Sequence, residues 1–418
     1  MLNPKFTYKV YNNLLIALAF LIPIHDRLVA PVIALLGLFW FLEFNFIEKW
    51  KQLKSSKNNR YLLAFASIYL VYLAGTIYSE QLTGMTGAWF TLEVKMSLFV
   101  FPLWFSTTNV SQLRPDIYKK IIVSFIWGSF ISGMLILNNA VYQYFMEKST
   151  SVFFYTKLSM VHHPSYLSLI YTFDIALLVN WLFIKKPKNP TKRNAAYVLI
   201  LFFQFLIILL SSKAGIISVV LMFVIIMIFT VLKDRASMKG HFLVAGSLMI
   251  IFLFILFLTP PSYNRFFAAE RALESKLQAD TNHLDGSVAR MLIWKSALEI
   301  IADNPVLGVG TGDVTTELLN KYHEHNIVMA EEREYNAHNQ YLQTYVATGI
   351  AGFLALMGCL FAGAFVAFTR KNLLYLVFVL VFAFNILVES MLERQAGVVF
   401  YSFFNALLFY FTINKKKL

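Results

Sequence analysis

The 418-residue chain is 58% hydrophobic and 17% aromatic but only 14% charged, with a mean hydropathy of +0.62. Soluble domains carry about 25% charged residues, so this composition excludes an ordinary soluble enzyme and predicts a polytopic membrane protein. The net charge of +13 sits mostly in short connections between apolar runs, which argues against nucleic-acid binding; a single cysteine, Cys359, excludes an internal disulfide or a thiolate metal cluster.

Each membrane crossing needs about 20 mostly apolar residues. Runs of that kind at 11–25, 28–47, 61–77, 86–105, 118–141, 164–184, 194–211, 214–232, 242–259, 338–368, 373–390 and 396–414 predict about twelve transmembrane helices. The runs are continuously apolar rather than alternating, which predicts an all-α integral membrane fold and not a barrel. The first run ends at Asp26 and Arg27 without a small-residue cleavage site, so it reads as a retained helix. Glu93, Lys95 and Asp174 fall inside runs, where a charge normally faces a partner or a cavity.

Lysine and arginine mark every even-numbered connection: Lys49 to Arg60, Arg114 to Lys120, Lys185 to Arg193, Lys233 to Lys239, and Arg370 with Lys371. Lys5 and Lys9 precede the first helix, and Lys415 to Lys417 follow the last. By the positive-inside rule both termini and these connections are cytoplasmic, and the odd-numbered connections face outward.

One outward connection is long. Residues 260–337 carry seven Lys/Arg against twelve Asp/Glu, the reverse of the chain as a whole. The chain therefore divides into helices 1–9 (1–259), an outer loop with short helices (260–337) and helices 10–12 (338–418). Within the loop, Ser287–Ala302 is patterned as a helix with Val288, Met291, Leu292, Leu298 and Ile301 along one side, stopped by Asp303-Asn304-Pro305. Arg290 and Trp294 share a face, four residues apart. Gly308, Gly310 and Gly312 follow; no strand precedes them, so a structural turn is preferred over a phosphate loop. Val314–Tyr322 then forms another short helix. His162, His163, His323 and His325 are too dispersed for a zinc site, so no metal is expected. Glu389, Glu393 and Arg394 form an outward cluster that suits either sugar contact or a salt-bridge network.

Arg290-x-x-x-Trp294, Asp303-Asn304-Pro305-x-x-Gly308-x-Gly310-x-Gly312 and Asn336-Ala337-His338-Asn339-x-Tyr341-Leu342 together resemble the signature region of the O-antigen ligase and O-antigen polymerase superfamily. The likeness extends to Ser211-Ser212-Lys213-Ala214-Gly215, where the family usually has Ser-Arg-Gly, and more loosely to His163-Pro164-Ser165-Tyr166. About 130 residues carry these motifs.

The resemblance implies a GT-C-like membrane glycosyltransferase, inverting and metal-independent, without a cofactor. Its donor would be a glycan on undecaprenyl diphosphate, and its acceptor a glycolipid such as lipid A-core. The site would face the periplasm from the bacterial inner membrane, among membrane lipids and with no nucleic acid. The residues suit that chemistry. A diphosphate leaving group needs cations where negative charge develops, and the planar guanidinium of Arg290 grips phosphate oxygens in pairs. Lys213 and Arg265 are further candidates for the diphosphate, and Arg271 lies one turn and a half beyond. Lys213 keeps the charge of the family's arginine but not its fork, and its alternative role is an interfacial lysine. His338 is the candidate general base, since an imidazole exchanges protons near neutral pH. A flippase or proton-coupled transporter is the competing class, favoured by Asp174 and opposed by the position of the chemical residues in an outer loop.

Overall fold

The structure, a computed structural model, describes residues 3–109, 113–114, 116–233, 238–274 and 286–414. Among these residues the chain is helical and contains no strand.

The first half comprises α1 (Pro4–Leu21), α2 (Asp26–Leu42), α3 (Phe46–Ser55), α4 (Lys57–Ala64), α5 (Ser67–Gly75), α6 (Ala88–Lys95), α7 (Ser97–Thr107), α8 (Ile117–Glu147) and the single turn α9 (Tyr155–Leu158). Then come α10 (Pro164–Lys185), α11 (Pro190–Leu210), α12 (Lys213–Lys233) and α13 (Met238–Phe257). The outer segment holds α14 (Pro260–Glu274), α15 (Gly286–Asp303), α16 (Val314–Glu324) and α17 (Val328–Glu332), and the chain finishes with α18 (Gln340–Thr369), α19 (Leu373–Val388) and α20 (Gln395–Ile413).

Every expected crossing coincides with a helix or a broken pair of helices, but the count of twelve is larger than length and composition support. Among the described residues seven helices are long and apolar enough to cross a membrane, or nine if two sharply bent pairs, α2 with α3 and α13 with the start of α14, each count as one span. The shortfall has physical causes. α1 opens with Lys5, Lys9, Asn12 and Asn13; α4 carries Lys57, Asn58, Asn59 and Arg60 and breaks before α5. α19 has 16 residues, about 24 Å of rise against a hydrocarbon core of about 30 Å.

The most enclosed spans are α10, 89% of whose apolar window is buried, and α20, at 78%. Their contact is aromatic: the Phe173 ring lies 4.9 Å from Phe404, and Phe404 lies 4.6 Å from Phe125 of α8. Edge-to-face rings of this kind lock a packing where lipid offers no hydrophobic driving force between helices.

α15 forms where expected and stops at Asp303, but it buries a different stripe. Ala289, Ile293, Ser296, Ala297 and Ile300 are buried; of the expected stripe Leu292 and Ile301 are half-buried against the core, Met291 and Leu298 are exposed, and the side chain of Val288 lies outside the described residues. Both stripes satisfy a period near 3.6; the alanines permit the closer approach to α16 and α18, the helices against which α15 packs.

Candidate active site

The run Asn336–Asn339 turns the chain into α18, and each polar residue in it has a structural partner. Asn339 is the N-cap: its Oδ1 accepts from the amides of Tyr341 at 3.0 Å and Leu342 at 3.3 Å. Its own amide donates to Ser390 Oγ at 3.1 Å. The Ala337 amide donates to Gln343 Oε1 at 3.0 Å, and the His338 amide donates to Asn336 Oδ1 at 2.9 Å. These bonds hold His338 at φ 45°, a left-handed conformation that costs a non-glycine residue of order 1–3 kcal/mol. The strain aims the imidazole away from the helix, edge-on to Tyr335 and toward Glu389.

Glu389 caps the end of α19. Its Oε1 lies 3.0 Å from His338 Nδ1, and its Oε2 lies 3.6 Å from Arg290 Nη2 on α15. The Glu389 side chain is only 9% exposed. Burial pushes its pKa up, but the hydrogen bond and charge of His338, with His163 and Arg290, outweigh burial and hold the carboxyl below its ordinary value. A carboxylate at Nδ1 keeps the imidazole proton on that nitrogen, which leaves Nε2 as the free acceptor. Arg290 is one-third exposed, so its guanidinium meets Glu389 and still reaches solvent.

A second group of residues adjoins this one. His163 caps α10, its Nδ1 accepting from the Ser165 amide at 3.4 Å. Burial lowers its pKa; Glu389 opposes that shift, and Arg394, His338 and Arg290 add to it. These four charged or titrating groups therefore all act on one half-buried ring. His163 packs edge-on to Tyr155, whose other neighbour is Arg265, with the guanidinium carbon 3.3 Å from the ring centroid. Arg265 Nε also donates to the Ser211 carbonyl at 3.2 Å. Ser211 ends α11 in a left-handed conformation, φ 48°, and Lys213 begins α12 two residues later. The turn is fastened by Ser211 to Ser262 at 2.8 Å and by Ser212 to Ser165 at 3.5 Å. Arg290 and His338 thus share one carboxylate, while Arg265 and Lys213 belong to an adjacent turn linked through Tyr155 and His163. The side chain of Arg271 lies outside the described residues.

The segment that carries Glu389 is anchored from below. Lys95, fully buried, donates to Glu393 Oε1 at 2.7 Å and to the Leu392 carbonyl at 2.6 Å, with its ammonium 4.5 Å from the Tyr72 ring. Gln340 Nε2 donates to the same Glu393 oxygen at 2.8 Å, and Gln340 Oε1 accepts from the Leu392 amide at 2.7 Å. Of the residues singled out in sequence, Glu389, Glu393 and Lys95 carried no assigned role. Their signal was present: carboxylates at a helix end and a lysine in an apolar run both need partners.

The glycine-rich stretch is structural. Gly308 and Gly310 take φ 70° and 113°. The amides of Val309 and Gly310 donate to the carbonyls of Val346 and Ala347 at 2.8 and 3.1 Å, which the kink at Gly349 in α18 leaves free. Amides 308, 311 and 313 donate to other backbone carbonyls, and that of Gly312 donates to Ser79 Oγ. Every amide from Gly308 to Asp313 is therefore engaged within the chain, and none is presented to a phosphate. Asp313 accepts from the amides of Glu80 and Gln81 at 3.0 and 2.7 Å, strapping residues 75–88 to the same stretch.

Outside the site, His323 pairs with Glu331 at 3.0 Å and His325 with Glu299 at 2.6 Å. Among the described residues no three His, Cys, Asp or Glu side chains converge as metal ligands.

The sequence model of the family described as O-Antigen ligase matches residues 196–357. No curated protein matches the chain. The matched stretch contains Lys213, Arg265, Arg290, the glycine turn and His338; Lys95, Glu389 and Glu393 lie outside it. Its apolar helices make the chain a multi-pass membrane protein, and the family match over residues 196–357 makes that stretch similar to the O-antigen ligase family.

Proposed function

We propose that this protein is an O-antigen ligase-type, GT-C-like glycosyltransferase, moving a glycan from undecaprenyl diphosphate to an acceptor hydroxyl, with lipid A-core as the acceptor. The observation that carries this reading is the shared carboxylate of Glu389, with His338 on one oxygen and Arg290 on the other.

The acceptor hydroxyl gives its proton to His338 Nε2 as its oxygen attacks the anomeric carbon from the face opposite the diphosphate. The bond from that carbon to the phosphate oxygen breaks, its electron pair leaving with undecaprenyl diphosphate, so the configuration inverts. Glu389 holds the imidazole by Nδ1 and stabilises the imidazolium that forms, as the acid member of a catalytic triad does. General-base assistance of this kind is worth about 10²- to 10⁴-fold. Arg290, joined by Lys213 and Arg265, balances the charge that develops on the diphosphate, a task for which other diphosphate-sugar enzymes use a divalent cation. The diphosphate leaves as a stable anion and needs no proton.

The basic connections support an orientation with both termini in the cytoplasm of a bacterial inner membrane, segment 260–337 outside, and the site at the periplasmic face. A polymerase, with a second lipid-linked repeat as acceptor, and a protein O-oligosaccharyltransferase share the donor chemistry. Asp174, fully buried in α10 beside Ser129, is the one observation that favours a transporter. Purified protein supplied with lipid-linked glycan and lipid A-core, a protein, or no added acceptor separates these readings by mass analysis. Glycosylated lipid A-core is the expected product; a lengthened lipid-linked chain identifies a polymerase, and donor moved across a vesicle wall unbroken identifies a transporter.

A further inference from the structure

At the end of the bundle away from Glu389, helices α8, α10, α11, α12, α19 and α20 part around a groove of about 1590 Å³. Its walls are apolar and aromatic, with Trp127, Trp181, Phe229 and Phe411 among them. Four lysines converge on it: Lys119, Lys186, Lys192 and Lys371. None of the four has a carboxylate partner among the described residues, and the acid at the rim, Asp116, is taken by Lys120 at 2.8 Å.

The helix directions fix where this groove lies. α10 starts just after His163 beside the candidate site and ends at Lys185, and at 22 residues it spans about 33 Å. α18 begins one residue after Asn339 and ends at Thr369, and α19 begins after Asn372 and ends beside Glu389. The lysines therefore stand about one hydrocarbon thickness away from the site.

Helix electrostatics account for only two of them. Lys186 and Lys371 follow the C-terminal ends of α10 and α18, where a cation offsets the helix dipole. Lys119 and Lys192 sit in the first turns of α8 and α11, where the same dipole opposes a cation. Both are exposed at the mouth of one apolar cleft, where their ammoniums can meet an external anion.

We propose that this groove binds an anionic phospholipid of the leaflet at the lysine end, its phosphodiester held by Lys119, Lys186, Lys192 and Lys371 and its acyl chains along Trp127 and Trp181. A juxtamembrane lysine contributes enough attraction to an anionic lipid to change affinity about fivefold. The proposal is independent of the glycosyl-transfer reading, since no residue of the groove belongs to that site.

The test uses the purified full chain in neutral detergent, titrated with phosphatidylglycerol or phosphatidylcholine and read by native mass spectrometry. One phosphatidylglycerol is retained by the parent protein, and Lys119→Gln/Lys192→Gln binds it roughly 25-fold more weakly. Lys295→Gln/Lys321→Gln, which removes the same charge in the outer segment, retains it as the parent does. Circular dichroism and a single size-exclusion peak confirm that each variant is folded, and rising salt weakens the phosphatidylglycerol complex alone. Equal retention of phosphatidylcholine, unchanged affinity in Lys119→Gln/Lys192→Gln, or preferential retention of polyprenyl phosphate overturns the proposal.

Discussion

Glu389 lies 3.0 Å from His338 through one carboxylate oxygen while its other oxygen faces Arg290 at 3.6 Å. A single buried carboxylate therefore sets the tautomer of the proposed base and the position of the proposed phosphate cation. Glu389→Gln removes the charge that both partners answer to. Transfer should fall on the order of 10²-fold in kcat, with a small change in donor affinity. Parent-like kcat in a folded Glu389→Gln protein removes the carboxylate from the mechanism.

His338→Ala should lose transfer while still binding donor, because a general base acts on bond making more than on the ground-state diphosphate. Activity of the parent should survive exhaustive chelation. Donor binding and product are followed separately, with and without chelator. Full turnover by His338→Ala discards the base; activity abolished by chelator and restored by one metal transfers the charge-balancing role to that metal.

Arg290→Ala and Arg290→Lys should both impair transfer strongly, the lysine less, since it retains charge without the planar fork. Lys213→Arg should be tolerated. Turnover measured at saturating acceptor decides; an active Arg290→Ala protein excludes this guanidinium.

Acidification should destabilise the protein through two groups. Glu389 is held below its ordinary pKa, and burial holds His163 below its ordinary value. In both cases the unfolded chain binds the proton more readily, so stability rises with pH and is lost as pH falls. The His163 part begins to disappear below about pH 6.5, and the Glu389 part only below about pH 4.3. His163→Asn keeps a helix cap but cannot titrate. Its melting temperature should fall less than the parent's between about pH 7.5 and about pH 5.5; identical slopes rule out the His163 contribution.

Lys95 and Glu393 form an ion pair whose lysine is fully buried. Removing one partner should cost about 3–5 kcal/mol, since it strands a buried charge. Lys95→Met combined with Glu393→Gln should recover part of that loss. Chemical or thermal unfolding of the three variants in one detergent measures it, and additive losses show that the two residues are not coupled.

Position His323 is exposed in the outer segment. With Cys359 replaced, a cysteine at position 323 should react with an impermeant reagent from the periplasmic side. Labelling from the cytoplasmic side alone reverses the proposed orientation.

The helices were legible because apolar runs of membrane length leave few alternatives, and His338 and Arg290 were legible from short motifs that place them together in chain order. Pairing across the bundle was not. Glu389 stands 51 positions from His338 and outside the motif region, and nothing local in its sequence names a partner. Which side of α15 is most deeply buried was not local either: two stripes fit the helical period, and only the surfaces of α16 and α18 choose between them. The expected twelve spans exceed the seven to nine that length and composition give among the described residues where asparagines and lysines interrupt α1 and α4, residues that apolar content averages away.

The two helices that bring His338 and Glu389 together are unequal. α18 has 30 residues, about 45 Å of rise, and α19 has 16, about 24 Å, yet they leave the same short turn and finish side by side. The kink at Gly349 turns the residues before it, about 14 Å of rise, away from the axis of the rest of α18, and the Val306 carbonyl occupies the space any side chain would need there. That one residue therefore sets the depth at which the base stands relative to the bilayer surface. A straightened α18 would carry His338 clear of the membrane and leave Glu389 behind at its edge.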